Sequence, residues 1–171
     1  MRIIEVFSGA GPLSLLRYGE NYAQCVIGRS GKKAAADKRE GDGATPIGIW
    51  PIRTVFWRPD RCIQPKTSVP THALSKDAGW CDDPKDPHYN QPVTLPYPAS
   101  AETLWRDDAV YDIIVTLGHN DDPVVPGMGS AIFMHIAKPD WEPTEGCVAV
   151  TKTTLYAILA ASSPGAALCI R

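Results

Sequence analysis

The sequence lacks a strong charge imbalance, a dense basic cluster and a long apolar run, and each absence excludes a class of partner. Its 17 basic and 19 acidic residues give a formal net charge of −2. The main basic cluster, Lys32, Lys33, Lys38 and Arg39, is spread over eight positions, too dilute for a nucleic-acid or anionic-membrane surface. No stretch approaches the roughly 18 consecutive apolar residues of a membrane span. We therefore expect a small substrate, with no nucleic acid and no membrane span.

Cysteine is sparse and irregularly spaced. The five cysteines lie at positions 25, 62, 81, 147 and 169, and an odd number excludes a fully paired disulfide framework. This usage fits a reducing compartment. A secretion signal is also lacking, because the N-terminal stretch carries one positive charge before Glu5 interrupts its apolar residues. We expect a cytoplasmic protein, or a periplasmic one if a signal has been removed or export takes a non-standard route.

Long helical periodicity is scarce, whereas short β-rich runs are frequent. The 14 glycines and 16 prolines favour turns between short strands. A length of 171 residues with 44% hydrophobic residues predicts one core and a single domain over 1–171. The predicted strands are RIIEVFS and NYAQCVI, as a hairpin-like pair, then IGIWPIRTVFW, YDIIVTLG, AIFMHI, GCVAV and AALCIR. The fold class is therefore predicted to be mainly β.

Two helices and one irregular segment complete the prediction. The stretch TKTTLYAILAASSPG places Leu155, Ile158 and Leu159 on one helical face. A short helix is predicted in SAETLWRDD, with Ser100 as its cap. Residues 58–100 contain eight prolines and little periodicity, which predicts a long irregular lid-like segment.

The segment PTEGCVAV puts Gly146 and Cys147 side by side at the entry to an apolar run. Cysteine attacks well only as a thiolate, so a catalytic cysteine needs a base or a cation nearby. His135 ends the run SAIFMHI, and the 11 residues before Cys147 predict a loop that folds the chain back. The imidazole would then lie within hydrogen-bond reach of the thiol and depress its pKa. The amides of Gly146 and Cys147 are candidate oxyanion donors.

The alternative interpretation is a core thiol beside a core histidine, because free cysteine is among the most buried residue types. Three ordered motifs argue for catalysis instead. His135, followed by Thr144-x-Gly-Cys147-Val, resembles the signature of the L,D-transpeptidase catalytic-domain family, in which a histidine precedes Ser/Thr-x-Gly-Cys. KREGDGATPIG, residues 38–48, resembles the family's Gly-Asp-x-x-Thr-Pro-x-Gly stretch. DPVVPGMGSAIFMHI resembles the run into its histidine, and the resemblance covers about residues 38–160.

This resemblance implies a fold and a set of roles. The fold would be a β-sandwich of mixed sheets with a helix after the cysteine. Cys147 would be the acylated nucleophile and His135 the general base, oriented by a nearby main-chain carbonyl. Thr144 takes the family's Ser/Thr position, and Gly146 would belong to the oxyanion frame.

Two positions depart from the family pattern. Glu145 stands where the family commonly has histidine, and Ala149 stands where it commonly has arginine. A missing guanidinium removes a bidentate anchor for a carboxylate. Substrate contacts therefore cannot be transferred from the family to these two positions.

The implied substrate is a peptidoglycan stem peptide or muropeptide, cut between the L-centre of its diamino acid and the terminal D-Ala through a thioester. Without an export signal we expect water as the acceptor, which makes the protein an L,D-carboxypeptidase of peptidoglycan recycling. The alternative is an L,D-transpeptidase that passes the acyl group to an amine, for cross-linking or D-amino acid exchange. A second alternative is a module that binds stem peptides without cutting them.

Four further residues are candidate substrate contacts. In the segment GWCDDPKDPHYN, Asp82 or Asp83 could meet the ammonium of a diamino acid, or could be solvated loop acids. Arg39 could bind a carboxylate, and Trp141 could edge the pocket. The set Cys62, His72, Cys81 and His88 has gaps of nine, eight and six residues, unlike the tight pairs of structural zinc sites. We expect neither a metal nor a cofactor.

Overall fold

Short strands make up most of the regular structure, which also contains one helix. A computed structural model describes residues 2–9 and 11–171. The strands are β1 (Ile3–Ser8), β2 (Leu13–Tyr18), β3 (Asn21–Val26), β4 (Lys32–Ala34), β5 (Thr45–Trp57), β6 (Thr71–Ala73), β7 (Ala78–Cys81), β8 (Pro92–Thr94), β9 (Ala101–Thr103), β10 (Ile113–Leu117), β11 (Phe133–Ile136), β12 (Val148–Val150) and β13 (Ala167–Ile170). The helix α1 spans Lys152–Ala161, and a 3₁₀ turn spans Ala35–Asp37.

The large sheet closes on itself. Its order is β10-β11-β12-β3-β2-β1-β13-β5, and a further antiparallel pairing of β5 with β10 completes the ring. The pairs β11–β12 and β1–β13 are parallel, and the other pairs around the ring are antiparallel. The short strands β4 and β6 add to the two ends of β5. The predicted mainly β fold with mixed strand directions is confirmed, and its sheet has the closed form of a barrel.

The main core lies inside this ring. Strand β10 is buried along its whole length, as its continuous apolar run predicts. The helix α1 adds Leu155, Ile158 and Leu159 to the same core, which confirms the predicted helical face. Thr151 caps the helix, because its Oγ1 accepts a hydrogen bond from the Thr154 amide at 3.1 Å. This helix begins directly after β12 and fixes the end of that strand.

A second, three-stranded sheet of order β8-β7-β9 lies beside the ring. It shares a smaller apolar cluster with the outer side of β10 and β11, formed by Leu74, Leu104, Tyr111, Ile114, Phe133 and Cys147. Trp80 of β7 packs edge-on against Phe133 of β11, with ring centroids 5.0 Å apart. One side of β11 therefore faces the main core, and the other side faces the small sheet.

Three local predictions need correction. The runs at β1 and β3 do not pair directly, because β2 lies between them and pairs with both. The helix predicted in SAETLWRDD is wrong, since Ala101 and Glu102 pair with β7 as strand β9. The segment 58–100 contains β6, β7 and β8, so it is only partly irregular. Strand β9 in particular is decided by its pairing with β7, which local propensity does not register.

Within the described residues, no helix is long and apolar enough to cross a membrane.

Candidate active site

His135 and Cys147 lie on the same face of two paired strands. The parallel register of β11 and β12 sets Met134 opposite Val148, and both side chains enter the main core. Because side chains alternate along a strand, His135 and Cys147 point to the other face. Phe133, two residues before His135, packs in the same outer cluster as Cys147. The register thus places both side chains on one face of neighbouring strands, and their action as base and nucleophile stays a prediction.

The turn before Cys147 is shaped around a close backbone approach. Gly146 has φ +139°, and a Cβ there would lie 2.9 Å from the Ala44 carbonyl oxygen, so only glycine fits. Thr144 Oγ1 donates to the Cys147 carbonyl at 2.7 Å and accepts from the Gly146 amide at 3.1 Å. The Thr144 side chain therefore fixes the turn, and the Gly146 N–H, a predicted oxyanion donor, already has an acceptor.

The segment 38–48 meets this turn in space. The Arg29 amide donates to the Thr144 carbonyl at 2.8 Å, and the Gly28 amide donates to Thr45 Oγ1 at 2.8 Å. Asp42 organises the segment, accepting from Lys38 Nζ at 2.6 Å and from the Ala44 amide at 3.0 Å. Although burial opposes its ionisation, these bonds hold the pKa of Asp42 well below its usual range. The two resembling motifs are therefore parts of one site.

The imidazole of His135 is held by its own main chain. Its Nδ1 lies 3.0 Å from the Ile136 carbonyl oxygen. A carbonyl can only accept, so Nδ1 carries the proton and Nε2 is the basic nitrogen of the neutral ring. Burial lowers the pKa of His135 to about 4, which keeps the ring neutral at physiological pH.

The thiol of Cys147 is also neutral at rest. Its Sγ donates to the Ala131 carbonyl at 3.1 Å and accepts from the Phe133 amide at 3.3 Å. With only 8% of the residue exposed, burial raises the pKa of Cys147 to about 12, and the Phe133 N–H opposes this only in part. The expectation that His135 depresses the pKa of this thiol is therefore wrong for the resting protein, because desolvation dominates.

Both side chains open into one cavity of about 590 Å³. Its lining comes from the segment 38–41, the small sheet, the segment before β10, strands β11 and β12, and the loop 138–145. The cations of the lining, Lys38, Arg106 and Lys138, each have an acidic ion-pair partner. Three lining carboxylates, Glu40, Asp82 and Glu102, form no ion pair within the described part of the chain. The cavity wall thus has an excess of negative charge.

Hydroxyl groups hold two of these carboxylates. Glu40 accepts from the hydroxyls of Tyr89 and Ser130, and Glu102 accepts from Tyr111 at 2.7 Å. Asp82 Oδ1 differs, because it is buried and none of the described residues forms a hydrogen bond with it. A buried oxygen without a hydrogen bond lowers the stability of the fold unless a ligand or solvent reaches it.

Residues 2–167 match the family described as YkuD, the L,D-transpeptidase catalytic domain. The chain belongs to this L,D-transpeptidase family. Comparison with curated proteins and with solved structures gives no match. The match supports catalytic activity of the L,D-transpeptidase type on peptidoglycan peptides. It spans nearly the whole chain and confirms the resemblance drawn from the three motifs.

Only some of the remaining sequence candidates of this L,D-transpeptidase domain line the cavity. The Arg39 guanidinium donates to the carbonyls of Ala36 and Lys38, and the Asp83 side chain accepts from the Lys85 amide. Arg39, Asp83 and Trp141 are all absent from the lining, whereas Asp82 and Thr144 belong to it. Residues 2–9 and 11–171 contain no group of three side chains that could hold a metal ion. The cysteine and histidine set weighed above therefore does not form such a group.

Sequence reasoning missed most of the wall residues, among them Lys38, Glu40, Glu102 and Tyr111. Lys38 and Glu40 lie in the resembling segment 38–48, so the motif pointed to their region but not to them. Glu102 and Tyr111 carried no local signal, because one stood in a segment predicted to be helical and the other preceded an apolar strand.

At the two departures from the family pattern, this L,D-transpeptidase domain has different contacts. Glu145 pairs with Arg29, with Nε to Oε2 at 2.9 Å, at the exposed rim of the cavity. Ala149 lines the cavity beside His135 in the strand register. A methyl group therefore occupies the position of the family's guanidinium.

Proposed function

We propose that Cys147 and His135 cleave the L,D bond of a peptidoglycan tetrapeptide through a thioester. The observation that supports this most directly is their common face on β11 and β12 within one cavity, with Nδ1 of His135 already committed to the Ile136 carbonyl. This leaves Nε2 as the atom that can take the thiol proton. The proposed chemistry needs no metal or cofactor, because a thiol and a base suffice for acyl transfer.

Acylation moves one proton and exchanges one bond. The Cys147 thiol turns from the Ala131 carbonyl, Nε2 of His135 takes its proton, and Sγ attacks the carbonyl carbon at the L-centre of the diamino acid. The C–N bond to D-Ala then breaks, and the imidazolium gives the proton to the departing amine. Because both groups are neutral at rest, the ionic state arises only as the substrate reacts.

The tetrahedral oxyanion needs donors at the Cys147 turn. The Gly146 amide donates to Thr144 Oγ1 in the resting protein, so we propose that the Cys147 amide is the first oxyanion donor. The Gly146 amide would join it only if Thr144 releases that bond.

The carboxylate wall supplies the proposed recognition of the diamino acid. Its ammonium group would lie against Glu40, Asp82 and Glu102, to which the described residues supply no cationic partner. It would also satisfy the buried Oδ1 of Asp82. The exposed pairs of Lys138 and Arg106 are individually weak, so these cations can exchange partners for a substrate carboxylate.

We propose water as the acyl acceptor, making the enzyme an L,D-carboxypeptidase. An amine acceptor must be held in place, and Ala149 removes the guanidinium that the family carries beside the nucleophile. Water needs only the basic Nε2 of His135: it gives up one proton, its oxygen attacks the thioester, and the thiol is restored. Hydrolysis of soluble turnover peptides fits a cytoplasmic location, which we propose with it.

Mass spectrometry of a tetrapeptide ending in diaminopimelate and D-Ala tests this function. The wild type should release alanine with and without an added D-amino acid, and Cys147→Ala should not. Cys62→Ala is the matched control, because this half-buried cysteine lies outside the cavity lining. Exchange of the terminal alanine for the added amino acid would make the enzyme a transpeptidase. An intact peptide that still binds the protein would make the domain a binding module.

A further inference from the structure

Tyr111 stands between the small sheet and the candidate base. It is 6% exposed and precedes β10, on the same side of β11 as His135. Its ring meets the His135 ring edge-on at 5.3 Å, with an interplanar angle of 78°. The same ring also packs edge-on against Phe133 at 6.2 Å. Tyr111 thus contacts both outward-facing side chains of this strand.

The phenol of Tyr111 is anchored on its far side. Its hydroxyl donates to Glu102 Oε1 at 2.7 Å, and Glu102 belongs to β9 of the small sheet. The guanidinium of Arg106 lies 5.4 Å from the ring centroid. Burial raises the pKa of Tyr111 well above its usual value, so the phenol remains a donor at every pH the enzyme would meet. A hydrogen bond to a carboxylate is stronger than a neutral one.

His135 needs such a support. The bond from Nδ1 to the Ile136 carbonyl fixes the tautomer, but a single bond leaves the ring free to tilt about it. The ring of Tyr111 limits this tilt from the small-sheet side. We propose that Tyr111, held by Glu102, is a positioning residue that keeps Nε2 of His135 directed into the cavity at Cys147. This inference rests on the proposed function, in which His135 is the base.

The test uses two variants and distinguishes a positioning role of Tyr111 from a purely structural one. Tyr111→Phe keeps the ring and removes the anchor, and Glu102→Gln keeps the shape and removes the charge. For both variants we expect kcat to fall by about tenfold to a hundredfold, as a misplaced base would cause. Tyr111→Phe should leave KM nearly unchanged, whereas Glu102→Gln should also raise KM, because Glu102 belongs to the proposed ammonium subsite. In nitrogen-15 spectra the wild-type His135 should show one tautomer, with Nδ1 protonated, and the variants should show broadened or mixed signals.

Tyr89→Phe is the matched control. Tyr89 also donates a buried phenol to a carboxylate of the cavity wall, Glu40, but its ring makes no stacking contact with His135 among the described residues. It should leave the His135 signal unchanged. Unaltered kcat and an unaltered His135 spectrum in folded Tyr111→Phe and Glu102→Gln would overturn the proposal. If the wild type cleaves no tetrapeptide, the spectra still decide the role of Tyr111, because they require no substrate. If Tyr111→Phe does not fold, Glu102→Gln decides alone.

Discussion

At the scale of single residues, burial governs the chemistry of the site. The same apolar surroundings that pack Cys147 against Phe133 raise the pKa of the thiol and lower that of His135. Both groups are therefore neutral at pH 7, and the protein avoids the cost of a buried ion pair while no substrate is bound. The basic nitrogen is set by geometry, because the Ile136 carbonyl selects the tautomer.

The acid limb of activity should follow His135. The imidazole accepts a proton only when neutral, and its pKa of about 4 means that activity is lost as pH falls through about 4. The profile of kcat/KM for tetrapeptide cleavage measures this limb in the free enzyme. A limb near pH 6.5 would contradict the assignment. Melting curves across the same pH range control for acid unfolding.

Asp82 should matter for affinity. Asp82→Asn removes the negative charge next to the proposed ammonium subsite, and we expect KM for a diaminopimelate tetrapeptide to rise about tenfold with kcat little changed. Asp83→Asn is the matched control, because Asp83 neighbours Asp82 but does not line the cavity. Equal KM values for the two variants would remove Asp82 from the proposed substrate contacts.

At the scale of elements, the site is assembled from segments that are distant in sequence. The turn 144–147 packs against the segment 38–48 where Gly146 approaches Ala44. The chain at Gly28 and Arg29 links the two, because the Gly28 amide donates to Thr45 and the Arg29 amide donates to Thr144. The small sheet supplies Asp82 and Glu102, and the segment before β10 supplies Tyr111. Moving any one of these elements would displace a cavity wall without touching Cys147.

Asp42 should hold the segment 38–48 together. Asp42→Asn leaves the buried Lys38 ammonium without its ion-pair partner, so we expect the free energy of unfolding to fall by roughly 3 kcal/mol at pH 7. Because folding lowers the pKa of Asp42, its contribution is complete above about pH 4, decreases as the pH falls further, and is lost below the lowered pKa of the folded state. Urea unfolding at pH 7 and pH 3 should therefore show a smaller difference at pH 3.

Glu142→Gln is the control for this loss of charge. Glu142 pairs with Lys138 in an i,i+4 arrangement in which both side chains are about half exposed. Such an exposed pair contributes little to stability. A destabilisation by Asp42→Asn no larger than that of Glu142→Gln would show that the segment does not depend on Asp42.

At the scale of the whole molecule, the last strand completes the fold. β13 lies between β1 and β5, so the ring closes only when the end of the described chain has paired. The small sheet is tied to the ring by the contact of Trp80 with Phe133 and by the cluster around Cys147. Core, site and small sheet thus share strands β10 and β11.

This sharing predicts one cooperative unit. Equilibrium unfolding followed by far-ultraviolet circular dichroism, which the ring dominates, should coincide with unfolding followed by fluorescence of Trp80 in the small sheet. A variant that retains Trp80 as its only tryptophan isolates that signal. Separate midpoints would show that the small sheet unfolds first and would contradict the single-domain prediction for residues 1–171.

The amino-acid sequence by itself determined most of the strands and the helix after Cys147. It also placed Cys147 and His135 in one family motif. Apolar periodicity and residue spacing are local properties, so β10, β11 and α1 could be predicted from them. The family resemblance, which the match over residues 2–167 confirms, came from motifs of the same local kind.

Only the tertiary structure decided the rest. Strand β9 forms where a helix was predicted, because it pairs with β7. That partner lies twenty residues away in the chain, so the local sequence does not reveal it. Glu102 reaches the site through that pairing, whereas Tyr111 reaches it from the segment before β10, and no local pattern marks either residue. The directions of the pKa shifts also depend on burial, which is a property of the assembled core. A sequence places residues along a chain, whereas desolvation and cross-strand contact depend on what surrounds them after folding.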